Sequence, residues 1–198
     1  MAWVWHMTPI DDFPEAKIDY LKSDPTYSST EFTTYEQVIS AKSPVFKTRA
    51  KLNRFVEKHC PPIGSYPVVD ELWRTIIRQF APERRVAFLP IELRAADGIT
   101  FKFSWVVCCD QVECINLKRS KTNAEVRRGK ERVIIDFEEY MHYDDCLRGL
   151  HIARDKNFSS HIVISDELWS ALAATGESGM FYQPENVPAL FGKNSIFN

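Results

Sequence analysis

The side chains able to do covalent chemistry are few and scattered: Cys60, Cys108, Cys109, Cys114 and Cys146, with five histidines that include His59, His142, His151 and His161. The near pairs are His59-Cys60 and His142-x-x-x-Cys146. A cysteine nucleophile needs a base close in space and surroundings that stabilise the thiolate, which neighbouring positions in a chain do not guarantee. The enzymatic reading with residues behind it is a small hydrolase or transferase using Cys146 with His142 or His151. The bland reading is stronger: an odd, irregularly spaced set of cysteines without a visible signal peptide suggests reduced thiols, and Cys108, Cys109 and Cys114 sit in or beside apolar strand patterns where a thiol behaves as a small hydrophobe.

Other chemistries lack their residues. There is no Cys-x-x-Cys, no His-Glu-x-x-His, no Gly-rich phosphate loop and no Gly-x-Ser-x-Gly elbow, and the seven glycines leave little material for such loops. No cofactor and no metal are expected.

A second cluster is acidic: Asp136, Glu138, Glu139, Asp144 and Asp145, with Tyr140 and Tyr143 set among them. Carboxylates in this density suit a solvated loop, a negative surface for a basic partner, or an acid and base pair. Tyrosine is a good interface anchor. These seven residues are therefore the candidate partner-binding set, with catalysis ranked last because nothing nearby suggests a substrate pocket.

The basic counterpart, Lys118 to Arg132, carries Lys118, Arg119, Lys121, Arg127, Arg128, Lys130 and Arg132 against Glu125 and Glu131. No aromatic residues interleave to stack bases, so it reads as a solvated loop between strands. A formal net charge of -2 supplies no overall positive field, and a nucleic-acid partner is not expected. No stretch approaches the ~20 apolar residues of a membrane span, so a cytoplasmic protein without a membrane partner is the expectation.

The elements that must position these residues are those of an α+β protein: an antiparallel or mixed sheet, a few packed helices and a loop-rich N-terminal third. The 198 residues suit a single unit. Cys60-Pro61-Pro62-Ile63-Gly64-Ser65-Tyr66-Pro67 breaks any helix, which suggests an N-terminal subregion 1–66 and a main region 67–198. Before it, Trp3-Val4-Trp5 suits a short strand, and Phe46, Leu52, Phe55 and Val56 have helix-compatible spacing after Pro44.

After the break, Asp70 caps a helix in which Leu72, Ile76 and Phe80 share a face, with Trp73 and Ile77 beside it. Val86 to Leu93, the Asp97-Gly98 turn and the alternating Ile99 to Val107 form a hairpin, with Pro90 at an edge or bulge. Further strands are expected over Val112–Leu117, Val133–Phe137, Leu150–Arg154, His161–Ile164 and Met180–Tyr182. A helix over Asp166–Thr175 is capped by Ser165 and ended by Gly176, and the tail from Gln183 is expected to pack as an extended segment.

Val68-Val69-Asp70-Glu71-Leu72-Trp73 and Ile164-Ser165-Asp166-Glu167-Leu168-Trp169 repeat an Asp-Glu-Leu-Trp opening. Each leads through a helix to a strand with Phe and Pro, which suggests two similar helix-strand units in one fold. The order of these pieces, with Val106 to Ser120 between them, resembles the immunity-protein family of bacterial polymorphic toxin systems. Asn116 stands where that family usually has Asp, Ser120 fits, and Ile162 to Trp169 followed by Gly179-Met180-Phe181 fits best. The matched span is roughly 68 to 184, with no clear counterpart for the N-terminal third.

The resemblance implies a cytoplasmic, non-enzymatic protein that binds and occludes a cognate protein toxin, with no catalytic residues to carry over. The cysteine-dependent enzyme and a scaffold or homo-oligomer subunit are the alternatives.

Overall fold

The computed structural model describes residues 2–5, 16–19, 23, 32, 34–63, 67–128, 131–158, 161–177 and 180–186, with the backbone alone for 123–128, 131–136 and 186. The tail beyond 186, most of the loop-rich start and the Gly179 exit lie outside them. In chain order the elements are β1 (Ala2–Trp5), β2 (Ala16–Ile18), α1 (Tyr35–Ser40), β3 (Val45–Thr48), α2 (Asn53–Val56), β4 (Val68–Val69), α3 (Glu71–Phe80), β5 (Val86–Arg94), β6 (Thr100–Cys108), β7 (Gln111–Val112), β8 (Lys121–Arg128), β9 (Glu131–Glu139), β10 (Ile152–Asp155), β11 (Ile162–Ser165), α4 (Asp166–Ala173) and β12 (Phe181–Tyr182). A 3-10 turn follows at Pro184–Asn186.

One five-stranded sheet has the order β12-β1-β11-β10-β7, the other β2-β3-β5-β6-β4, and β8 and β9 pair as a separate hairpin. Both large sheets are mixed: β10–β7 and β3–β5 are parallel, the remaining pairs antiparallel. The fold is α+β, as the patterning predicts. The N-terminal strands are built into both sheets, since Trp3 pairs with Ile164 and Phe46 with Leu93.

Strand β6 shows why alternation alone understates burial. Phe103, Trp105 and Val107 face one apolar core with Leu89, Leu93, Phe46 and Phe55. Val106 and Cys108, on the opposite face, enter a second core with Trp73, Ile77, Leu168, Leu172 and the sheet residues Trp5, Ile162 and Ile164. The strand is thus buried on both faces beyond Phe103, and the second core fastens the two sheets together through α3 and α4.

The expected hairpin forms, with Arg94 opposite Thr100 and Gly98 at φ +78°, a left-handed value that glycine adopts without the Cβ penalty. Pro90 does not mark the edge of the sheet, since β5 lies between β3 and β6. It pairs in register with Ser104 while β3 engages only Glu92 to Arg94, so proline's missing N–H falls where the strand has a neighbour on one side only.

Four other expectations change. The helix-compatible stretch after Pro44 is β3 followed by the single turn α2, because Val45-Phe46 is apolar and β-prone and finds partners in β2 and β5. The buried face of α3 is Trp73 and Ile77 rather than Leu72, which is 47% exposed. Lys118 to Arg132 is no solvated loop: most of it forms β8 and the start of β9, in antiparallel register with irregularities between Lys121 and Glu125. The Val112–Leu117 strand shrinks to β7 plus an isolated bridge from Ile115 to His142.

The repeated Asp-Glu-Leu-Trp units are both present as strand, cap and helix, but they superpose by cap, one residue out of sequence register. Asp70 Oδ1 accepts from Trp73 N at 2.9 Å, and Ser165 Oγ accepts from Leu168 N at 3.3 Å. The residue three beyond each cap is fully buried, Trp73 in α3 and Leu168 in α4. Trp169 instead stacks on Trp3, centroids 4.1 Å apart.

Candidate functional site

The site is assembled where the segment after β9 folds back over the segment after β7. Asn116 N donates to Met141 O at 2.7 Å and Tyr143 N to Cys114 O at 2.9 Å. Ser120 Oγ lies 2.9 Å from Met141 N and 3.2 Å from Met141 O, clamping the same residue. These bonds bring Cys114 and Cys146 to a Cα separation of 4.8 Å, and the two are joined in a disulfide. The expectation of five free thiols is corrected here: 32 residues separate these two cysteines, so only the fold-back places them within disulfide reach. Cys60, Cys108 and Cys109 remain free.

Beneath this crossing lies Asp155. Its Oδ2 accepts from Cys114 N and Ile115 N, both at 2.8 Å, and its Oδ1 from Asn157 N at 2.7 Å and Phe158 N at 3.0 Å. A buried carboxylate is tolerated when hydrogen bonds replace its hydration, and four charge-assisted bonds do so. The chain then turns sharply between Tyr143 and Leu150, with Asp145 at φ 49°, Arg148 at φ 51° and Gly149 at φ 82°. Two non-glycine residues in the left-handed region within four positions mark a loop held by its surroundings.

Above the crossing opens a cleft of about 730 Å³, whose walls include Tyr143, Asp144, Asp145, His142, His151, Glu167 and Glu185. Asp144, Asp145, Glu167 and Glu185 are opposed by Arg119, the one Lys or Arg among the described residues that line the cleft. Of the seven residues proposed from sequence, Tyr140, Tyr143, Asp144 and Asp145 line this cleft. Tyr143 is 41% exposed and both aspartates are exposed.

Tyr140 is not an exposed anchor: it is 1% exposed and stacks on His161, centroids 4.7 Å apart, next to Phe137. The strand ends at Glu139, so strand alternation does not set its side, and the ring packs inward as part of the cleft floor. Glu138 pairs with Lys121 at 2.5 Å and Glu139 is exposed, neither of them in the cleft wall. Asp136 belongs to β9, opposite Ala124, and its side chain lies outside the described residues.

Sequence reasoning missed Glu167, Glu185 and Arg119. In the sequence Glu167 reads as part of the repeated Asp-Glu-Leu-Trp helix opening, and nothing short of the tertiary fold brings the 3-10 turn holding Glu185 to the same opening.

The cleft also gathers Cys146, His142 and His151, the residues of the enzymatic alternative. Cys146 sulfur is bonded to Cys114, so it carries no thiolate in this state. His142 Nε2 lies 3.0 Å from His161 Nε2, and burial pushes its pKa down to about 4, keeping it neutral. His151 Nδ1 is 2.9 Å from Ser165 Oγ and 3.9 Å from Glu167 Oε2. A serine-histidine-acid relay needs serine and acid on different ring nitrogens, and here both address the same one. Among the described residues no group of three or more His, Cys, Asp or Glu converges to hold a metal ion. No helix among them is long and apolar enough to cross a membrane.

A family model described as "Immunity protein family (Imm11)" matches residues 14–186. The match reaches well into the N-terminal third, for which sequence reading found no counterpart, and its breadth agrees with strands β2 and β3 being integral to the second sheet. No curated protein matches the sequence. Since the matched span covers most of the chain, including the four described helices and every described strand but β1, the chain belongs to the Imm11 immunity protein family.

Proposed function

We propose that this chain neutralises a cognate protein toxin in the bacterial cytoplasm by binding it, without making or breaking a covalent bond, and that the acidic cleft is the contact surface. The observation that carries the reading is the concentration, among the described lining residues, of four carboxylates and the exposed Tyr143 around one opening with a single guanidinium. A toxin that acts on an anionic substrate presents Lys and Arg at its active site. Carboxylates fixed on a rigid scaffold pair with those cations, speed encounter and exclude the substrate. Tyr143 supplies apolar contact area at small entropic cost, as interface tyrosines do.

Rigidity supports the same reading. The cleft wall is held by the Ser120 clamp on Met141 and by the Asn116–Met141 and Tyr143–Cys114 backbone bonds, and binding to a preformed surface avoids the ordering cost of a flexible one. Membership of an immunity family supports a toxin as the partner class.

The test is co-expression with the toxin encoded beside this chain. Wild type restores growth, and the charge-reversed D144K/D145K variant, altered only at exposed positions, loses protection and binds the toxin at least tenfold more weakly. Death of cells expressing well-folded wild type would refute neutralisation, and full protection by the reversed variant would refute the cleft as the contact surface.

A further inference from the structure

We propose that the Cys114–Cys146 bond is a thiol–disulfide switch on the acidic cleft: closed, it fixes the part of the wall that carries Asp144 and Asp145, and opened by a dithiol, it releases that part and weakens the hold on a toxin. The effect on toxin binding rests on the cleft being the contact surface, whereas the release of the wall does not.

The wall has two parts with different fastenings. Met141 to Tyr143 is tied to the segment after β7 by the Ser120 clamp and by the bonds from Asn116 N to Met141 O and from Tyr143 N to Cys114 O. From Asp144 to Leu150 the hydrogen bonds among the described residues are Arg148 N to Asp145 O at 3.1 Å and Leu150 N to Leu147 O at 2.9 Å, and both close within the loop. Asp145 and Arg148 hold left-handed backbone angles of 49° and 51°, a conformation that L side chains leave unless their surroundings impose it. Two attachments impose it here. One is the bond from Cys146 to Cys114, and the other is the packing of Leu147 with Ala153 and Val163 in the small core around that bond. Opening the disulfide leaves the loop with the second alone.

Access to the bond is one-sided. Cys146 lines the cleft, whereas Cys114 is fully buried. A small thiolate entering from the cleft attacks Cys146 Sγ in line with the bond: a new sulfur–sulfur bond forms to the reagent, the old one breaks, and Cys114 leaves as a thiolate that takes up a proton. The second thiol of a dithiol reagent then displaces Cys146, so two electrons pass to the protein and the reagent ends as its cyclic disulfide. Oxidised glutathione, a disulfide, drives the reverse exchange and leaves as two thiols. Disulfides in a reducing cytoplasm are as a rule transient and redox-sensing, and this one joins a strained loop to its support.

The experiment is amide hydrogen exchange by NMR on the full chain equilibrated with oxidised glutathione or with dithiothreitol, and affinity for the toxin encoded beside it under the same two conditions. Reduction lowers protection of the Arg148 and Leu150 amides at least about tenfold, and by a larger factor than that of Val106 in β6, which reports global opening. Toxin binding weakens about tenfold, a change of about 1.4 kcal/mol. C114A/C146A behaves as the reduced form in both reagents. Should that variant not fold, C109A, altered at a free thiol outside the cleft lining, carries the test by keeping the full response. Equal protection of Arg148 and Leu150 in the two reagents overturns the switch, as do a loss that only matches Val106, a response that survives in folded C114A/C146A or vanishes in C109A, and equal toxin affinity of the two forms. Loss of protection on reduction with no toxin bound by either form upholds the switch and removes the contact reading instead.

Discussion

Replacing Asp155 by Asn changes one buried atom pair and should cost more than almost any other isosteric substitution in the chain. The carboxylate accepts four backbone N–H bonds between 2.7 and 3.0 Å, two on each oxygen. An asparagine oxygen keeps one pair, while its amide nitrogen faces the other two N–H donors with nothing to offer. Two charge-assisted bonds at roughly 1.5–3 kcal/mol each are lost and two buried donors are left orphaned, so the expected destabilisation is about 3–6 kcal/mol. For a chain of 198 residues each kcal/mol moves the melting temperature by roughly 2–4 °C, which places D155N about 10 °C below wild type. Thermal melts by circular dichroism, checked by urea unfolding, read this directly, with the exposed D144N as a control that stays within about 0.5 kcal/mol. A D155N protein within about 1 kcal/mol of wild type would mean that the four bonds do not secure the crossing.

Reducing the Cys114–Cys146 bond releases a loop of 32 residues in the unfolded chain, and loop entropy gives a loss of about 3–4 kcal/mol, read as a lower urea midpoint with reductant; an unchanged midpoint would count against the bond as a staple. Without reductant, Cys109, half-buried, labels ahead of Cys108, whose thiol burial pushes up to about 12, and of Cys60, which burial raises further; a fast Cys60 or Cys108 would contradict the described core. His142 is depressed by burial from 6.5 to about 4, so its contribution is present above pH 6.5 and is lost as pH falls toward 4, by up to about 3 kcal/mol. An imidazole resonance titrating near pH 6.5 would refute that. S165A removes the cap of α4 and the His151 contact at a cost of about 1–2 kcal/mol in urea unfolding, and no measurable loss would show both to be dispensable.

Elements governed by local chemistry were legible in the residues. The Asp70 and Ser165 caps, the Asp97-Gly98 hairpin and the α+β class follow from contacts within a few positions, and the structure has them. What was not legible depends on long-range pairing. Lys121 to Arg128 is polar enough to read as loop, yet β9 gives it a strand partner, while Val45 and Phe46 become a strand only because β2 and β5 flank them. The site divides the same way. Asp144, Asp145 and Tyr143 stand out as a local cluster, whereas Glu167 and Glu185 join them only after α4 and the turn following β12 pack beside the same opening.

The cleft wall is also where the chain departs most from ordinary local preference. Asp145 and Arg148 hold left-handed backbone angles, and His142 is kept neutral by burial, arrangements that a free loop would not select. They are opposed by a disulfide, a serine clamp and a carboxylate with four amide bonds, all acting on the two crossing segments. A solvated surface loop gains nothing from such anchoring, since water satisfies its groups in many conformations. A surface that must meet a partner in one conformation does gain, because the conformational entropy is removed on folding rather than at the moment of binding. The distribution of anchors around Tyr143, Asp144 and Asp145 is thus what a binding wall requires, and it favours the cleft over the exposed Glu139 edge as the proposed contact face.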